Sequence, residues 1–196
     1  MTMATQPLFP DRQAAARPAR LVLRDATRPD HDRVDAAFSA FRLDEDQGYA
    51  RFLAAQYLAH REAECWLALA EIPPRLRLSD RSPLIAADLA ALGRDLPRAG
   101  LPFPQPPGGS FAQAAGVLYC LAGSSFGGRV LVQRIAPGAP RAFLSFPLPA
   151  DYWPRLVAVL DGVAAQGGLA ACTAGARRTF ALFTQCARRI AAGAAR

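Results

Sequence analysis

Residues 121–130 read Leu-Ala-Gly-Ser-Ser-Phe-Gly-Gly-Arg-Val and lie within a mostly apolar stretch that runs from Ser110 to Ile135. The length and apolarity of this stretch predict a helix, although each interior glycine costs about 1 kcal/mol relative to alanine. In such a helix Gly123, Gly127 and Gly128 leave a strip of bare backbone on one face. The strip implies a close neighbour: either another helix packs against it, or a flat ligand lies on the main chain.

Helical spacing of apolar residues recurs through most of the remaining chain, and no segment alternates convincingly with the period of two that marks a strand. The predicted helices cover residues 21–41, 48–70, 80–92, 110–135, 151–165 and 169–192. Residues 97–109 contain five prolines, and we interpret them as a surface connection between two helical halves. We therefore predict an all-α, single-domain helical bundle over residues 21–196, behind a flexible N-terminal tail at residues 1–20.

A proline bears on where the first of these helices starts. Pro29 has no backbone N–H and is tolerated only in the first turn of a helix. Thr27 stands two residues earlier and is a good N-cap residue. The first helix is therefore predicted to start, or to kink, at about Thr27.

The composition is strongly basic, with a formal net charge of +7, and all 23 basic residues are arginine. A basic surface suits an acidic partner protein. The arginines are scattered, without a basic run interleaved with aromatic residues, so nucleic-acid binding is not expected. The longest apolar runs are interrupted before the roughly 20 residues that a membrane span needs, and no export signal is recognisable. We expect a cytoplasmic protein that makes no membrane contact.

The four cysteines stand far apart, at Cys65, Cys120, Cys172 and Cys186, and no two form a C-x-x-C pair. This spacing argues against both a zinc site and a disulfide framework. Three of the four lie within apolar helical patterns, and we interpret all four as buried thiols.

The chain has two histidines, and their surroundings in the sequence differ. His60 does not join the apolar stripe of its helix and is interpreted as an exposed surface residue. His31 has Arg24 seven residues before it and Asp35 four residues after it, so all three share one face of a continuous helix. A carboxylate one turn away can accept a hydrogen bond from Nδ1 and leave Nε2 free for a metal. The same spacing also suits a surface histidine in a helical ion pair, so both interpretations stay open.

Two stretches, taken together, resemble a known family. Residues 23–35, Leu-Arg-Asp-Ala-Thr-Arg-Pro-Asp-His-Asp-Arg-Val-Asp, look like the proximal helix of haem oxygenases. Residues 123–128 are similar to their distal helix, in the GSxxGG form common in bacterial members. Further matches follow in family order, at Tyr49-Ala50, Arg81–Leu84, Asp88-Leu89, Leu92-Gly93 and residues 176–183. The chain thus resembles the bacterial, biliverdin-producing haem oxygenases, which implies a haem oxygenase-like helical bundle.

The resemblance implies that haem lies between these two helices, with His31 as the proximal iron ligand. The distal wall and catalytic side would then be formed by Gly123, Ser124, Gly127 and Gly128. Ser124 departs from the animal-type members, which have an aspartate there that organises distal water.

The resemblance also implies roles for further residues around the haem. Arg24 stands where the family places a basic residue that meets a haem propionate, and Arg177 or Arg178 is a candidate for a second such contact. Asp35 would orient His31 without taking its proton. Phe180 would pack on the macrocycle.

Haem is both cofactor and substrate in this family, and its oxidative cleavage with O2 gives biliverdin, CO and ferrous iron. The electrons would come from a reductase or ferredoxin, and an acidic ferredoxin or flavoprotein would suit the basic surface. A photoreceptor that accepts biliverdin is a further candidate partner. A non-catalytic haem- or bilin-binding protein of the same fold is the alternative, favoured by Ser124 and by Ala122, where many bacterial relatives have glutamate. A thiaminase-like enzyme is a third reading, for which Cys120 and Cys172 lack carboxylate neighbours in sequence.

Overall fold

Helices form nearly all of the regular structure in the computed structural model, which describes residues 17–97, 101–104 and 109–193. Seven α-helices lie in these ranges, and no strand does. The helices are α1 (Ala19–Phe38), α2 (Asp46–Ala68), α3 (Ser82–Ala91), α4 (Phe111–Leu131), α5 (Ala142–Ser145), α6 (Tyr152–Ala165) and α7 (Leu169–Gly193). The predicted all-α fold is confirmed, and α5 is a short helix that the periodicity did not predict.

The first helix begins earlier than predicted. α1 starts at Ala19, inside the predicted tail, whose residues 1–16 lie outside the described residues. Thr27 is not an N-cap: it lies in mid-helix, and its hydroxyl donates to the carbonyl of Leu23 at 2.8 Å. Pro29 is tolerated inside α1 because tertiary contacts hold the helix on both sides, including a 2.8 Å bond from the Ala19 amide to Asp161.

Local signals do set two of the other helix ends. At the start of α4, Ser110 accepts from the Gln113 amide at 3.3 Å, and the Gln113 side chain accepts from the Ser110 amide at 2.9 Å. This reciprocal capping box satisfies two amides that a helix N-terminus leaves free. Gly93 follows α3 with a φ of +66°, a conformation that glycine adopts without strain, and so ends the helix that was predicted over residues 80–92.

α4 and α7 contact each other through two glycines. A Cβ on Gly116 would lie 1.9 Å from the carbonyl oxygen of Cys172, and a Cβ on Gly175 would lie 2.2 Å from that of Gln113. No side chain fits at either position, so the two backbones touch directly. α1 also packs along α7, which places α7 beside both α1 and α4.

Two predictions about exposure are wrong. Phe103, in the segment interpreted as a surface connection, is only 8% exposed and stacks on Trp66 with ring centroids 5.1 Å apart. Part of that segment, residues 98–100 and 105–108, lies outside the described residues. Cys65 is exposed, whereas the other three cysteines are buried. It points away because the neighbouring Ala63 and Trp66 form the buried side of α2.

One described helix, Phe111–Arg134, is long and apolar enough to cross a membrane by length and composition. Such a helix on its own is weak evidence for a membrane span. In this fold its apolar side chains have other partners, because α4 packs against α5, α6 and α7.

The glycine contact between α4 and α7 can be tested by substitution. Gly116→Ala is expected to lower the free energy of unfolding by about 2 kcal/mol, because its methyl group would overpack a rigid backbone. Gly162→Ala in α6 is the matched control, since nothing in the described chain beyond adjacent residues and the helix's own backbone lies within 4 Å of its Cβ position. That variant should gain about 0.5–1 kcal/mol from helix propensity. Urea unfolding measures the free energy of unfolding of both variants. Equal changes in Gly116→Ala and Gly162→Ala would contradict the contact.

Candidate functional site

His31 lies on the exposed side of α1, paired with the carboxylate one helical turn further along. Its Nδ1 is 3.1 Å from Asp35 Oδ2, and the two side chains are 59% and 67% exposed. A carboxylate at Nδ1 orients the ring and leaves Nε2 available to a metal. The structure thus brings together the two residues whose four-residue spacing suggested a pair.

Helix α7 places two further predicted site residues beside His31. Phe180 presents its ring to the imidazole with centroids 5.7 Å apart at 70°. Arg177 donates from Nη2 to the carbonyl of Ala26 at 2.9 Å, and its Nε lies 3.5 Å from Asp30. Arg177 therefore ties α7 to the turn of α1 that precedes His31.

Arg24 lies two turns before His31 and is exposed, with Nε 3.4 Å from Asp25. Its charge reaches Tyr119 on α4: burial raises the pKa of the Tyr119 phenol, Cys120 adds to this, and Arg24 opposes it. Arg24 is therefore within electrostatic range of α4.

The glycine strip of α4 is divided between a packing contact and open backbone. A Cβ on Gly128 would lie 3.1 Å from the carbonyl oxygen of Leu144 in α5. At Gly123 and Gly127, nothing in the described chain beyond adjacent residues and the helix's own backbone lies within 4 Å of the Cβ position. Helix packing thus accounts for Gly128, whereas the backbone is open at Gly123 and Gly127.

Ser124 stands between the open glycines and is exposed. Its hydroxyl donates to the carbonyl of Leu121 at 2.8 Å, so its proton is held by the backbone of its own helix. The oxygen of Ser124 can still accept a hydrogen bond.

Comparison with known proteins bears on the fold that holds these residues. No protein-family model matches the sequence, and no curated protein matches it. A similar solved structure is that of the NO- and CO-bound haem oxygenase from Neisseria meningitidis. The similarity has a TM-score of 0.71 and covers 89% of this chain and 92% of that chain. The fold is that of a haem oxygenase. At 22% sequence identity, the shared property is the fold itself.

The haem oxygenase fold here contains a second polar cluster, around His60, that the sequence prediction missed. His60 is 1% exposed, and its ring meets Phe143 and Phe183 with centroids 5.4 and 5.2 Å away. The prediction of a surface histidine is therefore wrong. The signal that could have found it is the heptad spacing to Leu53 and Leu67, which are both buried.

Glu64 joins this cluster from the next turn of α2. Its carboxylate accepts from the Arg81 amide at 2.6 Å and from the Ser82 hydroxyl at 2.5 Å, at the start of α3. The Nδ1 of His60 lies 3.5 Å from Glu64, without a hydrogen bond. Burial acts to raise the pKa of Glu64, but the His60 ring and the donors at Ser82 and Arg81 lower it overall below its usual 4.5.

The lowered pKa of Glu64 predicts how the free energy of unfolding depends on pH. Ionised Glu64 stabilises the folded chain above about pH 4.5, and this contribution is lost as the pH falls through its lower folded-state pKa. Glu64→Gln should therefore show a flatter decline in the free energy of unfolding between pH 7 and pH 3.5 than the wild type. Urea unfolding across this range measures the decline. Glu71→Gln, exposed beyond the end of α2, is the control, and a parallel decline in all three proteins would refute the assignment.

Proposed function

We propose that this protein is a haem oxygenase that cleaves haem to biliverdin with release of CO and ferrous iron. The proposal rests on two features found together in a haem oxygenase fold. Each lies on a helix that packs along α7. One is His31 on α1, with its Nδ1 held by Asp35. The other is the open backbone of α4 at Gly123 and Gly127. Together they offer a ligand for iron and a flat face for a macrocycle.

The residues on α1 and α7 fit a haem. His31 Nε2 would hold the iron, and Asp35 would orient the ring without taking its proton, because a neutral imidazole suits ring oxidation better than a strongly donating ligand. Arg24 would pair with a propionate, for which guanidinium has the right geometry. Arg177, held by its contacts to α1, is the second candidate for a propionate. Phe180 would cover part of the macrocycle beside His31.

On the distal side, the main contribution of the chain would be the shape of the surface that the macrocycle meets. Gly123 and Gly127 would let the macrocycle approach the main chain, with Gly128 fixing the helix against α5. Ser124 would offer an acceptor oxygen, since its proton is donated to Leu121. When bound, haem supplies both the iron that uses O2 and electrons and the ring that is opened.

The electron donor we propose is an acidic ferredoxin or flavoprotein. The chain carries a net charge of +7, and four arginines on α7 (Arg177, Arg178, Arg188 and Arg189) are exposed or half-buried. Such a surface would steer an acidic partner. Delivery of biliverdin to a photoreceptor, and a cytoplasmic location, remain part of the same proposal.

Reconstitution tests the activity and the iron ligand together. Haemin added to the purified protein should give a Soret band, and a ferredoxin system or ascorbate should then convert it to biliverdin absorption with release of CO. His31→Ala should change the haem spectrum and abolish conversion, and added imidazole should restore the wild-type spectrum because it replaces the missing ligand. Asp32→Ala, at the exposed neighbouring position, should behave as wild type.

The outcomes separate the candidate functions. A stable haem complex that never converts would exclude the oxygenase and support a non-catalytic haem- or bilin-binding protein, which the lack of a carboxylate at Ala122 and Ser124 favours. An unchanged haem spectrum in His31→Ala would exclude His31 as the ligand.

The open glycine face makes a separate prediction. Gly127→Leu should fold as well as the wild type or better, because the side chain enters open space and leucine favours a helix by up to about 1 kcal/mol over glycine. It should weaken haem binding by roughly tenfold or more, equivalent to about 1.4 kcal/mol, because the side chain takes the place of the macrocycle. Haemin titration with thermal unfolding measures both properties. Unchanged haem affinity would show that the macrocycle lies elsewhere.

A further inference from the structure

A cavity of about 340 Å³ lies between α2, the segment that leads into α3, and α4. His60 and Glu64 line it from α2, and Arg81 lines it from the start of α3. Leu118 and Leu121 of α4 form an apolar wall. None of these residues has a role in the proposed haem contacts.

Two deeply buried polar side chains in this cavity lack hydrogen-bond partners. His60 is 1% exposed, and neither ring nitrogen makes a hydrogen bond within the described part of the chain. Arg81 is 8% exposed, and its Nη1 has no hydrogen-bond partner among those residues either. Buried donors without acceptors cost about 1–3 kcal/mol each, and more when charged. The cavity therefore needs an occupant that accepts hydrogen bonds.

The Glu64 oxygens do not meet that need in this geometry: one lies 3.5 Å from His60 Nδ1 without a hydrogen bond, and Arg81 Nη1 bonds to neither. The Glu64 oxygens accept from the Arg81 and Ser82 amides and from the Ser82 hydroxyl. The Glu64 carboxylate thereby caps the N-terminus of α3. The guanidinium of Arg81 lies instead over the ring of Phe146, 4.3 Å from its centroid. The face of an aromatic ring attracts a cation. It supplies no acceptor for the N–H groups, which point outward in the plane of the guanidinium.

Of the two charges on the inner wall of the cavity, that of Arg81 is the less compensated. Arg77 and Asp80 line its exposed rim and are opposite in sign, so they balance each other. On the inner wall, the charge of Glu64 faces the amides of a helix N-terminus, where a negative charge is stabilised. Glu64 also attracts Arg81, but burial outweighs this attraction and lowers the pKa of the guanidinium.

We propose that this cavity is a binding site for a small oxyanion or carboxylate, held by Arg81 and His60. Arg81 Nη1 and one His60 N–H would donate to the oxygens of the anion. The volume is roughly ten times that of a water molecule, which admits an ion such as phosphate with some water. The site does not depend on haem binding. Because Leu118 and Leu121 precede Gly123 on the same helix, the anion would contact the base of the helix that carries the open glycines.

Thermal unfolding with inorganic phosphate at constant ionic strength tests the site in the full-length chain. The wild-type Tm is expected to rise with phosphate concentration, since a ligand that binds only the folded state stabilises it. Arg81→Gln should lose most of this rise. Arg94→Gln, an exposed arginine beyond the other end of α3, should keep it. Acetate and sulfate in place of phosphate would show whether carboxylates or inorganic oxyanions bind better.

Ring ¹⁵N spectra of wild-type protein test the same contact without a variant. Phosphate should shift the His60 ring signals and leave those of His31 unchanged, and the two histidines can be assigned with His60→Gln. An equal Tm rise in wild type and Arg81→Gln would show adventitious binding and overturn the proposal. Unmoved His60 signals, or a wild-type Tm that does not respond to phosphate, acetate or sulfate, would overturn it as well, leaving water as the occupant.

Discussion

The backbone contact between α4 and α7 is the constraint on which the candidate haem site depends. Gly116 and Gly175 each leave no room for a methyl group, so these two helices touch at closest distance. α7 also packs against α1, and it presents Arg177 and Phe180 to that helix shortly after Gly175. α7 therefore sets the distance between His31 on α1 and the open glycines on α4. A ligand between them would contact two surfaces whose separation is fixed by the packing of α1 and α4 on α7.

Most of the fold could be predicted because each helix has a local cause. Long apolar periodicity marks α2, α6 and α7, and Gly93 ends α3 as its position predicts. The start of α1 could not be predicted in this way. Pro29 argues for a helix start near Thr27, but a helix held by tertiary contacts at Ala19 and along α7 accepts an interior proline. α5 was missed since four residues carry too little periodicity, and the Asp88 carboxylate that accepts from two of its amides is distant in sequence.

Part of the candidate site could also be predicted. The pairing of His31 with Asp35 follows from a four-residue spacing on one helix. The division of the glycine strip could not be foreseen, because only tertiary structure shows that Leu144 covers Gly128 and leaves Gly127 open. His60 was misjudged because alanine neighbours made its side of α2 look less apolar than it is. Burial of that histidine depends on Phe143 and Phe183, which come from distant parts of the chain.

The proline inside α1 has a mechanical consequence for the residue that follows it. Pro29 has no N–H for the carbonyl of Asp25, so bending the helix there breaks one hydrogen bond fewer than bending it elsewhere. Arg177 anchors the neighbouring turn at Ala26 and Asp30. The Arg177 contacts thus bridge Pro29, because Ala26 precedes the proline and Asp30 follows it. In the turn just before His31, contacts with α7 therefore take over part of the work that a backbone hydrogen bond does elsewhere in the helix.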